Sequence, residues 1–181
     1  MDGLEVLVHD HRMVEQLFRD YHSAASAAQR RGVVELLIRE LSKHAALEEL
    51  MVYPLARKVL PDGERLVDDH LGEHMAVKKT LAELDGLGED DERTEELLAQ
   101  LRRDVEEHVR EEETEFIPKL REAVDQQRLD ELGRMLVKAK QTAPTRPHPH
   151  APDRPPALAF AGPVAAVYDR FRDRLQRRPK T

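Results

Sequence analysis

The chain has 181 residues, of which 36% are charged and 4% are aromatic, and its formal net charge is −7. That length fits one well-formed core, and the composition favours a helical bundle over a sheet. The absence of cysteine excludes disulfides, thiolate metal sites and thiol catalysis. The first 142 residues carry −12, which argues against nucleic acid as a partner. The N-terminus lacks a signal pattern and no apolar run approaches about 18 residues, so we expect a cytoplasmic protein and no membrane span.

The first third of the chain predicts two long helices. The first covers about residues 4–30, with Asp2 as N-cap and Glu5 three residues later in a capping-box arrangement. Gly32 is expected to end it. A second helix is predicted over about residues 33–60, because Pro61-Asp62-Gly63 is a strong turn signal.

Two further long helices are predicted over about residues 64–87 and from the acidic run 89–92 to about residue 124. Short connections make sequential neighbours antiparallel, so the predicted fold is an all-α, up-down-up-down four-helix bundle. A short fifth helix is predicted over about residues 127–141, across one end. We assign the bundle domain to residues 1–141.

The C-terminal segment has a different composition. Residues 142–156 contain six prolines, so we predict a linker over 142–163 that has few residues able to anchor it. A basic amphipathic helix is predicted over 164–178, as a docking element for its own bundle or for a protein partner. Its apolar stripe would consist of Val164, Val167, Tyr168, Phe171 and Leu175.

Polar side chains occupy core positions in all four long helices. Each lies three or four residues from an apolar neighbour, where packing would favour Leu or Val. Unpaired burial of these groups would cost several kcal/mol each. Antiparallel alternation places them in one layer, about 10–20 Å from one end of the bundle. Seven ligand-type residues in one core layer predict a metal site: His11, His44, Glu48, His70, His74, His108 and Glu112.

A weak internal repeat supports this prediction. His44 and His108 each begin a segment of the form His-x3-Glu-Glu, with a proline ten residues after the histidine. Pro54 and Pro118 lack an N–H, so each is expected to bend its helix just past the candidate ligands. Two related hairpins would build a pseudo-symmetric site for two metals.

Imidazole and carboxylate ligands without thiolate suit iron, manganese or zinc. A lone structural zinc takes four ligands and would leave three of the seven groups idle. If Glu48 and Glu112 bridge two metals, one metal has three histidines and the other has two, which leaves one position for a small ligand. The Glu-x-x-His motif of ferritin-type sites and the His-Glu-x-x-His motif of zinc proteases are both absent.

These residues resemble the hemerythrin-like family, also called HHE cation-binding domains, over about residues 4–124. The resemblance implies a non-haem di-iron centre with an oxo or hydroxo bridge. It assigns His70, His74 and His108 to one iron and His11 and His44 to the other, with Glu48 and Glu112 bridging. Animal oxygen-carrying hemerythrins have an Asp five residues after the last His, whereas here Glu112 follows His108 at four. This departure favours a broader repertoire of O2, NO, peroxide or iron handling.

Other polar residues are weighed separately. We expect His9 to be exposed, His22 to be a core or partly exposed histidine, and His148 and His150 to have no specific metal role. The run Glu111–Glu115 is interpreted as solvated apart from Glu112. Packing is the expected role of Tyr21 and Tyr53, and contact with the metal ligands or direct phenolate ligation is the alternative.

The leading functional hypothesis is a di-iron protein that binds or senses O2, NO or peroxide. An enzyme with catalase-like or peroxidase-like action on H2O2 is the alternative, and iron buffering is a third hypothesis. No proton-shuttling acid or base is evident beside the open metal position, which favours a binding protein.

Overall fold

The computed structural model describes residues 1–151, 165–170 and 172–173. Helices and helical turns form all of its regular structure in this part of the chain, which confirms the all-α prediction. In chain order the elements are α1 (Gly3–Ser23), α2 (Ala27–Leu47), the π-helical turn π1 (Glu48–Val52), α3 (Tyr53–Val59), α4 (Gly63–Gly86), α5 (Arg93–Glu111), the π-helical turn π2 (Glu112–Phe116), α6 (Ile117–Ala123) and α7 (Gln126–Lys140).

The boundary between the first two helices differs from its prediction. The turn lies between Ser23 and Ala27 instead of near Gly32. Ser26 caps α2, because its backbone is extended and its hydroxyl accepts the N–H of Gln29. Gly32 lies inside α2 with no atom within 4 Å of the place where a Cβ would be, so the helix tolerates it at a cost of about 1 kcal/mol.

The other boundaries lie close to their predictions. Asp2 and Glu5 form the predicted capping box at the start of α1. α4 ends within one residue of the expected position, and α7 lies within one residue of the predicted fifth helix. The acidic run 89–92 precedes α5, which begins at Arg93.

Two apolar clusters fill the bundle, one on each side of the polar layer. The first includes Leu4, Tyr53 and Phe116 and is closed by α7. The second includes Phe18 and Leu101 and lies between the remaining lengths of the four long helices. The polar residues therefore lie between two apolar regions.

The N-terminus and α7 approach each other closely. α7 packs mainly against α1, and a Cβ at Gly133 would lie 2.5 Å from the carbonyl oxygen of Met1. Only a glycine permits this contact of backbone with backbone. None of the helices in the described part of the chain is long and apolar enough to cross a membrane.

Part of the predicted linker is anchored, contrary to our expectation. Thr145 and Arg146 are buried, and the Arg146 guanidinium bonds to Glu35 on α2 and to Asp85 on α4. The helical residues 165–170 and 172–173 contribute Asp169 and Asp173 to the same cluster. The described part of the tail therefore docks on the bundle. Val167 and Tyr168 of the predicted apolar stripe are exposed, contrary to a stripe that packs on the bundle. Val164, Phe171 and Leu175 lie outside the described residues.

Candidate metal centre

The structure brings all seven predicted residues together in one buried layer. Each is less than 8% exposed, and both glutamates are fully buried. Their donor atoms form three overlapping groups in which every atom lies within 4.8 Å of the others. The groups are His11, His44, Glu48 and Glu112; Glu48, His74 and His108; and His70, His108 and Glu112.

The two glutamates lie between the two sets of histidines. Glu48 Oε2 is 3.2 Å from the Nε2 atoms of both His44 and His74. Glu112 Oε2 is 3.2 Å from His11 Nε2 and 3.7 Å from His108 Nε2. Each carboxylate thus reaches both sets of histidines, as a bridging ligand must.

Six inward-facing atoms of this layer have no hydrogen-bond partner among the described residues. They are Nε2 of His11, Nε2 of His44 and both carboxylate oxygens of Glu48 and of Glu112. Buried polar groups are almost always satisfied, since leaving one without a partner costs about 1–3 kcal/mol. The atoms are imidazole nitrogens and carboxylate oxygens, which are the donors that bind divalent and trivalent metal ions. The residues present therefore fit a metal centre.

An outer layer of carboxylates orients the imidazoles. Nδ1 of His74 lies 3.0 Å from Glu49, and Nδ1 of His11 lies 2.8 Å from Glu113. A carboxylate at Nδ1 holds the proton there and directs the Nε2 lone pair inward. Glu73 does the same for two histidines at once, at 3.0 Å from His70 and 2.6 Å from His108. Asp10 lies 3.6 Å from His44 Nδ1.

The sequence analysis missed these outer carboxylates. Glu113 belongs to a run interpreted as solvated, yet its side chain is only 23% exposed and bonds to His11. The repeat carries a usable signal, because Glu49 and Glu113 both directly follow a candidate bridging glutamate. Asp10 and Glu73 each directly precede a candidate histidine ligand, His11 and His74, so adjacency to a ligand marks them as well.

The layer places imidazoles and carboxylates in contact, which favours the charged form of each. Burial alone would lower the pKa of His74, but the adjacent carboxylates of Glu48 and Glu49 outweigh it and raise this pKa to about 9. Burial likewise opposes ionisation of Glu48, yet the neighbouring His44 holds the pKa of this carboxyl well below its ordinary value. Protons on the imidazoles balance the carboxylates here, and a metal cation would replace them.

Tyr53 contacts the layer directly. Its hydroxyl lies 3.0 Å from His74 Nε2, and the side chain is 2% exposed. Burial and the nearby carboxylates, Glu48 first among them, raise the pKa of this phenol well above its ordinary value. Tyr53 is therefore more than a packing residue. Tyr21, the other tyrosine considered, bonds to Glu95 away from the layer.

Each glutamate begins a π-helical turn that ends just before a proline. The N–H of Tyr53 bonds to the carbonyl of Glu48, five residues earlier, and the N–H of Ile117 bonds to that of Glu112 in the same way. Pro54 and Pro118 cannot donate to the helix, so the wider turn is the local consequence of their missing N–H groups. The predicted distortion just past the ligands is thus present as a π turn in both halves.

A small apolar cavity of about 20 Å³ adjoins the layer. His11, His44, His74 and His108 line it on one side, and aliphatic side chains close the other. A single water molecule needs about 10–15 Å³, so the cavity has room for a molecule of two or three atoms. An organic substrate does not fit.

The remaining histidines lie outside the layer. His9 is exposed as predicted, and His22 is also exposed rather than buried. His148 bonds to Asp169 in the docked tail, and His150 is exposed.

A helical bundle with a buried histidine and carboxylate layer defines a class of metal-binding proteins, and comparisons with known proteins identify the family. Residues 2–120 match the model of the Hemerythrin HHE cation binding domain. The chain therefore belongs to this family, as its resemblance predicted. An uncharacterized hemerythrin-like protein of Schizosaccharomyces pombe is 27% identical over 176 residues, which cover 97% of this chain and 87% of that protein.

A solved structure also resembles this fold. It is that of a Hemerythrin HHE cation binding domain-containing protein from Mycobacterium kansasii, a homolog of Rv2633c. The likeness has a TM-score of 0.66 at 25% identity and covers 78% of this chain and 86% of the other.

Proposed function

We propose that this protein holds two iron ions and binds a small ligand, O2, NO or peroxide, at one of them. His11 and His44 would hold the first iron, and His70, His74 and His108 the second, with Glu48 and Glu112 bridging. The observation that carries the ligand proposal is the small apolar cavity beside the layer, which histidines of both sets line.

The donor set supports iron over a structural zinc. Zinc sites of the structural type are closed by four ligands, whereas seven protein donors suit two metals of higher coordination number. The absence of thiolate agrees with a metal that prefers nitrogen and oxygen. Iron bound here would supply reversible ligand binding and a change of oxidation state.

The chain's own residues prepare the site for this role. The outer carboxylates fix the imidazole rings, so the ligand atoms keep their positions when a small molecule enters. Val14, Val77 and Val105 border the cavity and exclude water from the bound ligand. Asp10 also lines it, but its carboxylate already contacts His44 and Lys140. This arrangement supports a binding or sensing protein over an enzyme.

Iron content and optical spectra test the proposal. We expect about two irons per chain, as seven protein ligands imply, and a stable new absorption band after addition of O2, NO or H2O2. Zinc or a single iron as the tightly bound metal would contradict the di-iron proposal. Rapid O2 evolution from H2O2 without a stable adduct would contradict the binding role and support the catalase-like alternative.

A cavity-filling variant separates ligand binding from metal binding. Ala45→Leu places a larger side chain in the cavity, so it should keep the iron and weaken ligand binding by tenfold or more. Ala46→Leu, one residue later and facing another groove, is the matched control and should bind the ligand normally. Equal ligand affinity in the two variants would show that the ligand binds elsewhere.

A further inference from the structure

A second, larger groove of about 370 Å³ lies between α1 and α5. α1 packs mainly against α2 and α7, and α5 packs mainly against α4, which leaves the seam between α1 and α5 open. Phe18 and Val105 belong to its apolar floor, and Arg19 and Arg102 stand on opposite walls. Nothing in the proposed function uses this groove.

The charge of the groove differs from that of the molecule around it. Four arginines and three glutamates line it, although the first 142 residues carry a net −12. Arg12 bonds to Glu15 and Glu113, and Arg102 bonds to Glu106. Arg19 is different, because among the described residues its guanidinium donates to the neutral amide oxygen of Gln16. Arg110 pairs with Glu107 and Glu111, so Arg19 is the lining guanidinium that has no carboxylate partner among the described residues.

We propose that this groove binds a small planar aromatic molecule that carries a phosphate, of the flavin mononucleotide type. The apolar floor suits an aromatic ring, and guanidinium groups match phosphate oxygens through paired hydrogen bonds. The volume lies in the range of small-molecule sites, about 300–1,000 Å³. Arg19 and Arg102, from two different helices, would hold the anion above the ring.

The groove adjoins the candidate metal centre. His11 and Glu113, which form the 2.8 Å contact of the outer layer, also line the groove. A bound ring would therefore lie one side chain away from the candidate metal centre. Binding itself depends on the groove alone, and only this proximity to iron rests on the proposed function.

Titration of the full chain with flavin mononucleotide tests the inference, followed by flavin fluorescence and calorimetry. We expect one molecule per chain with both metal-free and iron-loaded protein, so a failure of the iron proposal leaves this result intact. The double variant Arg19→Glu/Arg102→Glu should weaken binding by tenfold or more. Arg103→Glu/Arg128→Glu changes the net charge equally outside the groove and should bind as the unaltered chain does.

Three results would overturn the inference. One is no saturable binding, and another is equal weakening in both double variants, which would indicate a general charge effect. The third is competition by inorganic phosphate at the concentration at which flavin mononucleotide binds, since it would show an anion site without ring recognition. Weaker binding of riboflavin, which has the ring and lacks the phosphate, would support the role of the two arginines.

Discussion

Two buried polar clusters of this molecule are similarly buried, but they differ in whether their polar atoms have protein partners. Around Arg146, the guanidinium lies 3.0 Å from Glu35 and from Asp85 and 2.6 Å from Asp173. The Thr145 hydroxyl donates to Asp173 as well. Every side-chain nitrogen of Arg146 has a protein partner.

The candidate metal centre is buried just as deeply, yet six of its donor atoms have no such partner. Both clusters place charged groups out of water, which is costly unless they are paired. The comparison therefore separates a structural ion cluster from a ligand site. In the first, protein groups complete each other, and in the second, only an added cation can.

Removal of a ligand from the centre should have the largest effect. His44→Ala or His74→Ala should lower the iron content below two per chain and remove most of the stabilisation by iron. That stabilisation is about 4 kcal/mol at a free iron concentration 1,000 times Kd. Metal analysis and thermal unfolding with and without chelator measure both quantities. His9→Ala, an exposed histidine on the same helix as His11, is the control, and iron loss there would mean that the ligand set is wrong.

Disruption of the complete cluster should cost stability without changing the metal. Arg146→Ala leaves Glu35, Asp85 and Asp173 without their shared cation, so the free energy of unfolding should fall by about 3 kcal/mol. Iron content should stay the same. Chemical denaturation and metal analysis of the same sample test this, and loss of iron would show that the two clusters are coupled.

Truncation after Gln141 extends this test to the whole tail. We predict unchanged iron stoichiometry and an unchanged iron spectrum, together with lower stability, because Arg146 is removed. A truncated chain with an empty site or no folded structure would place the tail inside the core and move the domain boundary beyond residue 141.

Asp2 is a second buried carboxylate whose hydrogen-bond partners all come from the protein, and a smaller effect is expected there. Burial opposes its ionisation, but hydrogen bonds from Arg121, the Glu5 N–H and Gln126 lower its pKa from 3.8 to about 2. A depressed pKa stabilises the fold above about pH 4, and this contribution disappears as the pH falls toward 2. Asp2→Asn keeps a capping side chain and removes the charge, so it should cost about 2 kcal/mol at neutral pH.

Chemical denaturation of Asp2→Asn and of the unaltered chain across pH 2–6 tests whether the contribution of Asp2 to stability falls with pH. The difference between them should vanish near pH 2. Asp125→Asn makes the same change at the exposed N-cap of α7 and should show a smaller difference. A difference for Asp2→Asn that does not vary with pH would exclude the ion pair as its source.

The smallest effect is expected at an exposed cap. Ser26→Ala removes the acceptor for the N–H of Gln29 and should destabilise the protein by about 1 kcal/mol. Ser23→Ala, at the other side of the same turn, is the control with no N-cap to lose. Similar values for the two serines in thermal unfolding would indicate that Ser26 does not define the start of α2.

The sequence predicted the layer well because helical periodicity is strict where a core is tightly packed. His11 and Glu112 stand out since each interrupts an apolar stripe at a spacing of three or four residues. The fold follows from the same stripes and from short connections. The turn at residues 24–26 escaped prediction because alanines favour a helix and only the Ser26 cap opposes it.

Other features could not be predicted for a different reason. Arg146 lies in a proline-rich segment without periodicity, and its partners Glu35 and Asp173 lie 111 and 27 residues away. Glu73 and Glu113 face the edge of the layer instead of its centre, so they fall off the apolar stripes. Tertiary contacts alone give Arg146 its role, whereas Glu73 and Glu113 each adjoin a predicted ligand in the sequence.

The distribution of the ligands also determines when the protein can receive its metal. The group that contains His11, His44 and Glu48 is closed by Glu112, and the group that contains His74 and His108 is closed by Glu48. Neither half of the chain holds a complete set. As the polypeptide leaves the ribosome, the first hairpin emerges with ligands that have no counterpart yet. A complete ligand set can therefore assemble only after synthesis has passed residue 112, and until then the nascent hairpin presents His11, His44 and Glu48 without their fourth partner.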